Sequence, residues 1–134
     1  MKSNRIVASF TVCIMALSVA GASAARSDPD KAQEELSKYE KTGESVSCLM
    51  LRSIRDTEIL DDFTMIVEAS GKTYLNEMSG RCSGLAREGR YVHRAAGSGM
   101  CQGDIIQVID SFGTMRGSCS LGDFEELSEI QQTQ

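Results

Sequence analysis

The run Cys101-Gln102-Gly103-Asp104-Ile105-Ile106-Gln107-Val108-Ile109-Asp110 decides how the rest of the chain is read. It opens on a cysteine, carries turn chemistry at Gly103-Asp104, and then continues with Gln107 as the one polar residue before Asp110. Both alternating faces of that run are apolar, the pattern of a strand buried on both sides. The expectation is the central strand of a small β-domain stapled by cysteines. Glycine two or three residues beyond a cysteine, as at Gly84, Gly103 and Gly122, lets the backbone turn beside a bridge. Asp104 is suited to accept hydrogen bonds from local amides and so to start the strand.

Downstream, Ser111-Phe112-Gly113-Thr114 turns the chain and residues 115–121 return beside the strand. The end from Glu125 is acidic and polar and is expected to fray. Upstream, Phe63, Met65, Val67 and Ala69 recur with a period of two, and Ser70-Gly71 is a hairpin signal before Thr73, Tyr74 and Leu75. Residues 54–78 therefore read as a three-strand meander. Asp61-Asp62 reads as a solvated turn within it. Residues 79–99 hold five glycines and read as loop, with a short strand at Tyr91-Val92-His93-Arg94.

Residues 27–43 read as a helix, with Asp28 to cap it, Pro29 in its first turn and Gly43 to stop it. Ala32, Leu36 and Tyr39 form a thin apolar stripe, and Glu34 and Lys38 form an i, i+4 pair. The expected fold is mainly β. It is a small disulfide-stapled barrel or curved antiparallel sheet of five to seven strands over residues 48–124. A helical leader, 25–47, precedes it and a flexible acidic tail, 125–134, follows.

The first 24 residues read as a signal peptide. Lys2 and Arg5 form a positive start, residues 6–20 are apolar, and Ala22-Ser23-Ala24 offers small residues for cleavage. The apolar stretch is shorter than the ~20 residues a membrane-spanning helix needs. Periplasmic or secreted localisation follows, with no integral span after cleavage. Cleavage also removes Cys13, leaving Cys48, Cys82, Cys101 and Cys119, which in a small exported chain read as two disulfides. No Cys-x-x-Cys pair is present and the chain has one histidine, so no metal and no cofactor are expected. Three pairings are open. The nested one, Cys48–Cys119 with Cys82–Cys101, is preferred because it closes the whole domain and pins its polar loop, worth about 4 and about 3 kcal/mol in the chain-entropy model.

Three cysteine motifs stand in order: Cys82-Ser83-Gly84-Leu85, Cys101-Gln102-Gly103-Asp104-Ile105-Ile106 and Cys119-Ser120-Leu121-Gly122-Asp123-Phe124. Cys48-x-x-Leu51-x-x-Ile54-Arg55-x-Thr57 and Tyr74-Leu75-Asn76 stand upstream of them. Together they resemble a family of small exported proteobacterial proteins catalogued as a domain of unknown function, over about residues 48–124. Ser83 stands where that family has proline and Ser120 where it has glycine. The resemblance implies one compact unit and no catalytic residue.

The net charge of −5 becomes more negative by two on loss of Lys2 and Arg5, which argues against nucleic acid as a partner. Enzyme motifs are weak. His93 has no evident nucleophile and reads as a surface histidine, and Gly97-Ser98-Gly99 lacks nucleophile-elbow spacing. The feature that stands out is a basic segment in an acidic chain. Arg81, Arg87, Arg90 and Arg94, interleaved with Tyr91 and His93, are a candidate site for an anionic ligand. Their alternative is a solvated loop paired with the chain's own carboxylates. The expected function is non-enzymatic binding in the periplasm or outside the cell. Inhibition of a basic envelope-targeting enzyme such as a lysozyme is the alternative, with a basic protein as partner. An enzyme of unrecognised type ranks third.

Overall fold

The structure, a computed structural model, describes residues 29–131; the expected signal peptide, the Asp28 cap and the last three residues lie outside them. The meander is present as read: β3 (Ile54–Ile59), β4 (Thr64–Ala69) and β5 (Lys72–Glu77) pair antiparallel in sequence order. Ser70 and Gly71 both have positive φ, 54° and 76°, the two-residue turn whose twist matches a right-handed hairpin.

Two expectations about the ends of the chain are corrected. The helix α1 covers only Pro29–Leu36, and Tyr39–Val46 is a strand, β1. Gly43, at φ +88°, marks a register break inside β1 and not a helix stop. The acidic tail is also a strand, β10 (Phe124–Glu129), lying between β1 and β5. The physical reason is burial: Phe124 and Leu127 enter two different cores on opposite faces of the sheet. Two of its three carboxylates are matched across strands, Glu125 to Lys41 and Glu126 to Lys72. The result is a five-stranded antiparallel sheet in the order β1-β10-β5-β4-β3. The folded unit therefore runs beyond residues 48–124 at both ends.

Two smaller sheets cover one face of it. The first pairs β2 (Cys48–Met50) with β7 (Gly99–Cys101). The second has β8 (Ile105–Ile109) between β6 (Tyr91–His93) and β9 (Met115–Ser120). Segment 79–99 holds the short strand expected there, β6, but the rest is not all loop: it also contains part of β7 and the short helix α2 (Leu85–Glu88), bounded by Gly84 and Gly89 in the left-handed region. The main core lies between the sheets and includes Met65, Val67, Phe124, Leu85, Met100, Ile106, Val108 and Leu121. On the opposite face Ala32 of α1 packs over Ile66, Leu75 and Leu127, joined by Leu36 and Tyr39.

The opening stretch is central in its own sheet only, and the reading that it is buried on both faces is overturned. Ile106 and Val108 are buried, but Ile105 is 46% exposed because none of the described elements covers the outer face of β8. The strand with both faces buried is β4, where Met65 and Val67 face the main core and Ile66 faces α1. The sheets are curved and mainly antiparallel and do not close into a barrel. The ten strands of the described residues exceed the five to seven expected because β1 and β10, which run outside 48–124, add two and short pairings add others.

Both expected disulfides form, but not in the nested pattern. The bridges are Cys48–Cys101 and Cys82–Cys119. Loop entropy ranked the alternatives, whereas strand register decides them: Cys48 lies directly opposite Cys101 in the β2–β7 pair. The two loops interlace along the chain.

Candidate functional site

The cysteine motifs meet in space, and their chemistry there is structural. Asn76, fully buried on β5, donates to the Gly122 and Asp123 carbonyls at 2.8 and 3.2 Å, and its own oxygen accepts from the Gly122 amide at 3.1 Å. A Cβ at Gly122 would lie 2.0 Å from the Glu77 carbonyl oxygen, so the close approach requires glycine. Leu121 in turn exchanges backbone hydrogen bonds with Gly103 and Asp104. Met78 Sδ lies 3.2 Å from Cys119 Sγ, a sulfur contact, since a bridged cysteine has no proton to donate.

The six candidate anion-binding residues do not form one patch. Strand alternation sends Tyr91 and His93 inward, opposite Val108 and Ile106. Burial pushes the Tyr91 phenol up in pKa, with the Thr57 hydroxyl opposing. His93 is not a surface histidine. Its side chain is 9% exposed and its Nε2 lies 2.8 Å from Asp104 Oδ2. That same oxygen accepts from the Cys101 amide at 2.8 Å, the turn-forming role expected of Asp104. The Cys101 amide first, and His93 second, hold the Asp104 carboxyl below its ordinary range.

Arg81 and Arg87 are neutralised internally. Arg81 donates to Asp62 at 3.1 Å, and Asp62 also accepts from the Ala86 amide in α2 at 3.0 Å. Asp62 is therefore no solvated turn residue but a buried tie between the β3–β4 turn and α2. Burial works against its charge, yet the Ala86 amide and Arg81 outweigh it and lower its pKa. Arg87 pairs with Glu88 at 2.9 Å. Arg94 reaches only a neutral partner, donating to Gln107 Oε1 at 3.0 Å, and Arg90 has no side-chain partner among the described residues.

The sequence reading missed what lies beside those two arginines. On β6, Arg90, Val92 and Arg94 alternate to the outer face, the Arg90 carbonyl accepting from the Ile109 amide as the ladder continues. Next to them stand Ile109, Gln107 and Ile105 of β8, and beyond these Met115, Ser118 and Ser120 of β9. Val92 is 40%, Ile105 46% and Met115 57% exposed. At the end of this face, Phe112 occupies the tip of the β8–β9 hairpin and is 92% exposed.

That tip is rigidly built. The buried Asp110 accepts from the Phe112 and Thr114 amides, both at 2.9 Å, through Oδ1. Its Oδ2 accepts from Arg116 Nε at 2.9 Å and Nη2 at 2.6 Å. The Thr114 amide first, then the Phe112 amide and Arg116, outweigh burial and lower its pKa. The signal available in the sequence was an aromatic residue inside a glycine turn, Ser111-Phe112-Gly113, where a side chain projects away from both strands.

Among the described residues, no cluster of histidine, cysteine, aspartate and glutamate is arranged to hold a metal, and no helix is long and apolar enough to cross a membrane. Two surface depressions, one by Arg55, Glu68 and Lys72 and one by Lys38, Tyr39 and Glu129, lie away from the six candidates. No family model, curated protein or solved structure matches this chain.

Proposed function

We propose that the protein is an exported, non-enzymatic accessory protein, periplasmic or secreted, that works by binding a macromolecular partner. The outer face of the β6-β8-β9 sheet carries this reading. It leaves Val92, Ile105, Met115 and Phe112 in water on one braced surface. Apolar exposure gathered on one sheet face, here with Gln107, Ser118 and Ser120 among it, favours an interaction surface, because each square ångström kept wet forgoes about 25 cal/mol. The two bridges support export, since disulfides persist in oxidising compartments. The test is photo-crosslinking in the cell from a benzoylphenylalanine at position 105, with position 34 on α1 as control. A discrete protein adduct from 105 and none from 34 is expected; no adduct from 105, or equal adducts from both, overturns the reading.

Inhibition of a basic enzyme is a second reading, favoured by a different surface. Asp30, Glu34, Glu40, Glu44 and Glu129 are exposed on α1, β1 and β10 and carry no ion pair among the described residues. An inhibitor of this kind would lower lysozyme activity at near-equal amounts and lose its effect at high salt, as exposed charges are screened. Undiminished lysozyme activity at excess protein removes this reading for that enzyme.

A further inference from the structure

We infer that the occupant of the β6-β8-β9 face is a protein segment that combines apolar side chains with carboxylates, the carboxylates lying along β6. This inference rests on the binding function proposed above and specifies the chemistry of the partner. Between Arg81 and Cys119 the chain has five arginines and three carboxylates, Glu88, Asp104 and Asp110. Every one of those carboxylates is already engaged, with Arg87, His93 and Arg116 respectively. Among the described residues Arg90 and Arg94 are left without an anion, both on the β6 edge of the face and four residues apart. At about 3.3 Å per residue their backbones are separated by roughly 13 Å. No carboxylate stands on the outer face between them or across β8 and β9.

The composition of the face separates the possible occupants. A polyanion without apolar groups would satisfy Arg90 and Arg94 but leave Ile105, Met115 and Phe112 wet. An anionic lipid layer would cover the apolar residues. It would also strip water from Gln107, Ser118 and Ser120, which lie among them, and hydrocarbon supplies no hydrogen bonds in exchange. A lipid surface would in addition meet a chain of net charge −5. A second copy in a two-fold contact of this face with itself would bring no carboxylate to Arg90 or Arg94, since β6, β8 and β9 place none on it. A protein segment with mixed character meets all three demands. Apolar groups cover β8 and the Phe112 tip, backbone and amide groups meet Gln107 and the serines, and carboxylates meet the β6 edge.

The experiment uses the full chain with both bridges intact, immobilised and presented with a displayed library of random twelve-residue peptides. Enrichment of peptides pairing aspartate or glutamate with leucine or aromatic residues is expected. Their binding should fall at least about ten-fold in the double variant R90E/R94E, should fall likewise in F112S, and should hold in R55E on the opposite sheet. All of these positions are exposed, and unchanged melting verifies the fold of each variant. Enrichment of neutral or basic peptides, indifference to R90E/R94E, or no enrichment overturns the inference. So does Phe112-dependent flotation with vesicles of phosphatidylglycerol and phosphatidylcholine at one to three, or a dimer in sedimentation that I105R dissolves. If position 105 crosslinks a protein whose capture ignores R90E/R94E, only the partner's chemistry fails. If position 105 crosslinks nothing, the binding function fails with it.

Discussion

A single buried side chain does most to join the sheet to the cysteine motifs. Asn76 satisfies both backbone groups of Gly122 and one of Asp123 where no water reaches. Truncation in Asn76→Ala leaves those groups unpaired, so unfolding free energy should drop by about 2–3 kcal/mol, read from urea denaturation. A loss below half a kcal/mol would mean the clamp is dispensable. Three carboxyls, Asp62, Asp104 and Asp110, have pKa values lowered in the fold by the amides and cations around them. The folded state then binds fewer protons than the unfolded one at acid pH, so stability rises with pH in that window. Melting temperature should be flat above about pH 5 and fall progressively below about pH 4, as these groups protonate. A melting temperature constant down to pH 2 contradicts the assigned contacts. Asp104 was legible from its place three residues after a cysteine, because its role is local. The burial of His93 and Asp62 was not, because each depends on an element distant in sequence.

Among the elements, the meander was legible and the two strands that complete the sheet were not. Ser70-Gly71 and the alternation through β4 are local signals. β10 hides behind Glu125, Glu126 and Glu129, which read as a solvated tail until lysines on β1 and β5 are set beside two of them. The sequence of β1 reads as helix because Tyr39 follows Ala32 and Leu36 at helical spacing. Those three do pack together, but from a helix and the strand after it. If β10 is structural, Leu127→Ala should cost about 3 kcal/mol by loss of packing under α1. Deletion from residue 124 onward should abolish cooperative unfolding, since it removes the strand between β1 and β5. A chain ending at residue 123 that still melts in one sharp transition would show that the tail reading was right.

At the scale of the whole molecule, the number of bridges was legible and their partners were not, because pairing depends on which strands meet. The interlaced pattern ties each end of the segment 82–101 to a different partner outside it, Cys119 and Cys48. Neither bridge closes a loop that contains the other whole. The two bonds also differ in access. Cys48 is exposed at the β2–β7 edge and Cys101 half-buried, whereas Cys82 is fully buried beside Leu85 and Cys119 half-buried against Met78. Exchange proceeds by attack of a thiolate on a sulfur it can reach, so access orders the two reactions. Under mild dithiothreitol without denaturant, Cys48–Cys101 should open first, and Cys82–Cys119 should persist until the domain unfolds. Timed alkylation and peptide mass mapping would read both the order and the pairing. The bridges close separations of 53 and 37 residues, so each is worth about 4 kcal/mol in the chain-entropy model. The species with Cys48 and Cys101 alkylated should thus remain folded at a lowered melting temperature. Its β6-β8-β9 face would stay braced, because Cys82–Cys119 and the Asp110 hydrogen bonds hold that sheet independently of β2 and β7. Peptides linking Cys48 to Cys119, or simultaneous opening of both bonds, would refute the interlaced arrangement or the difference in access.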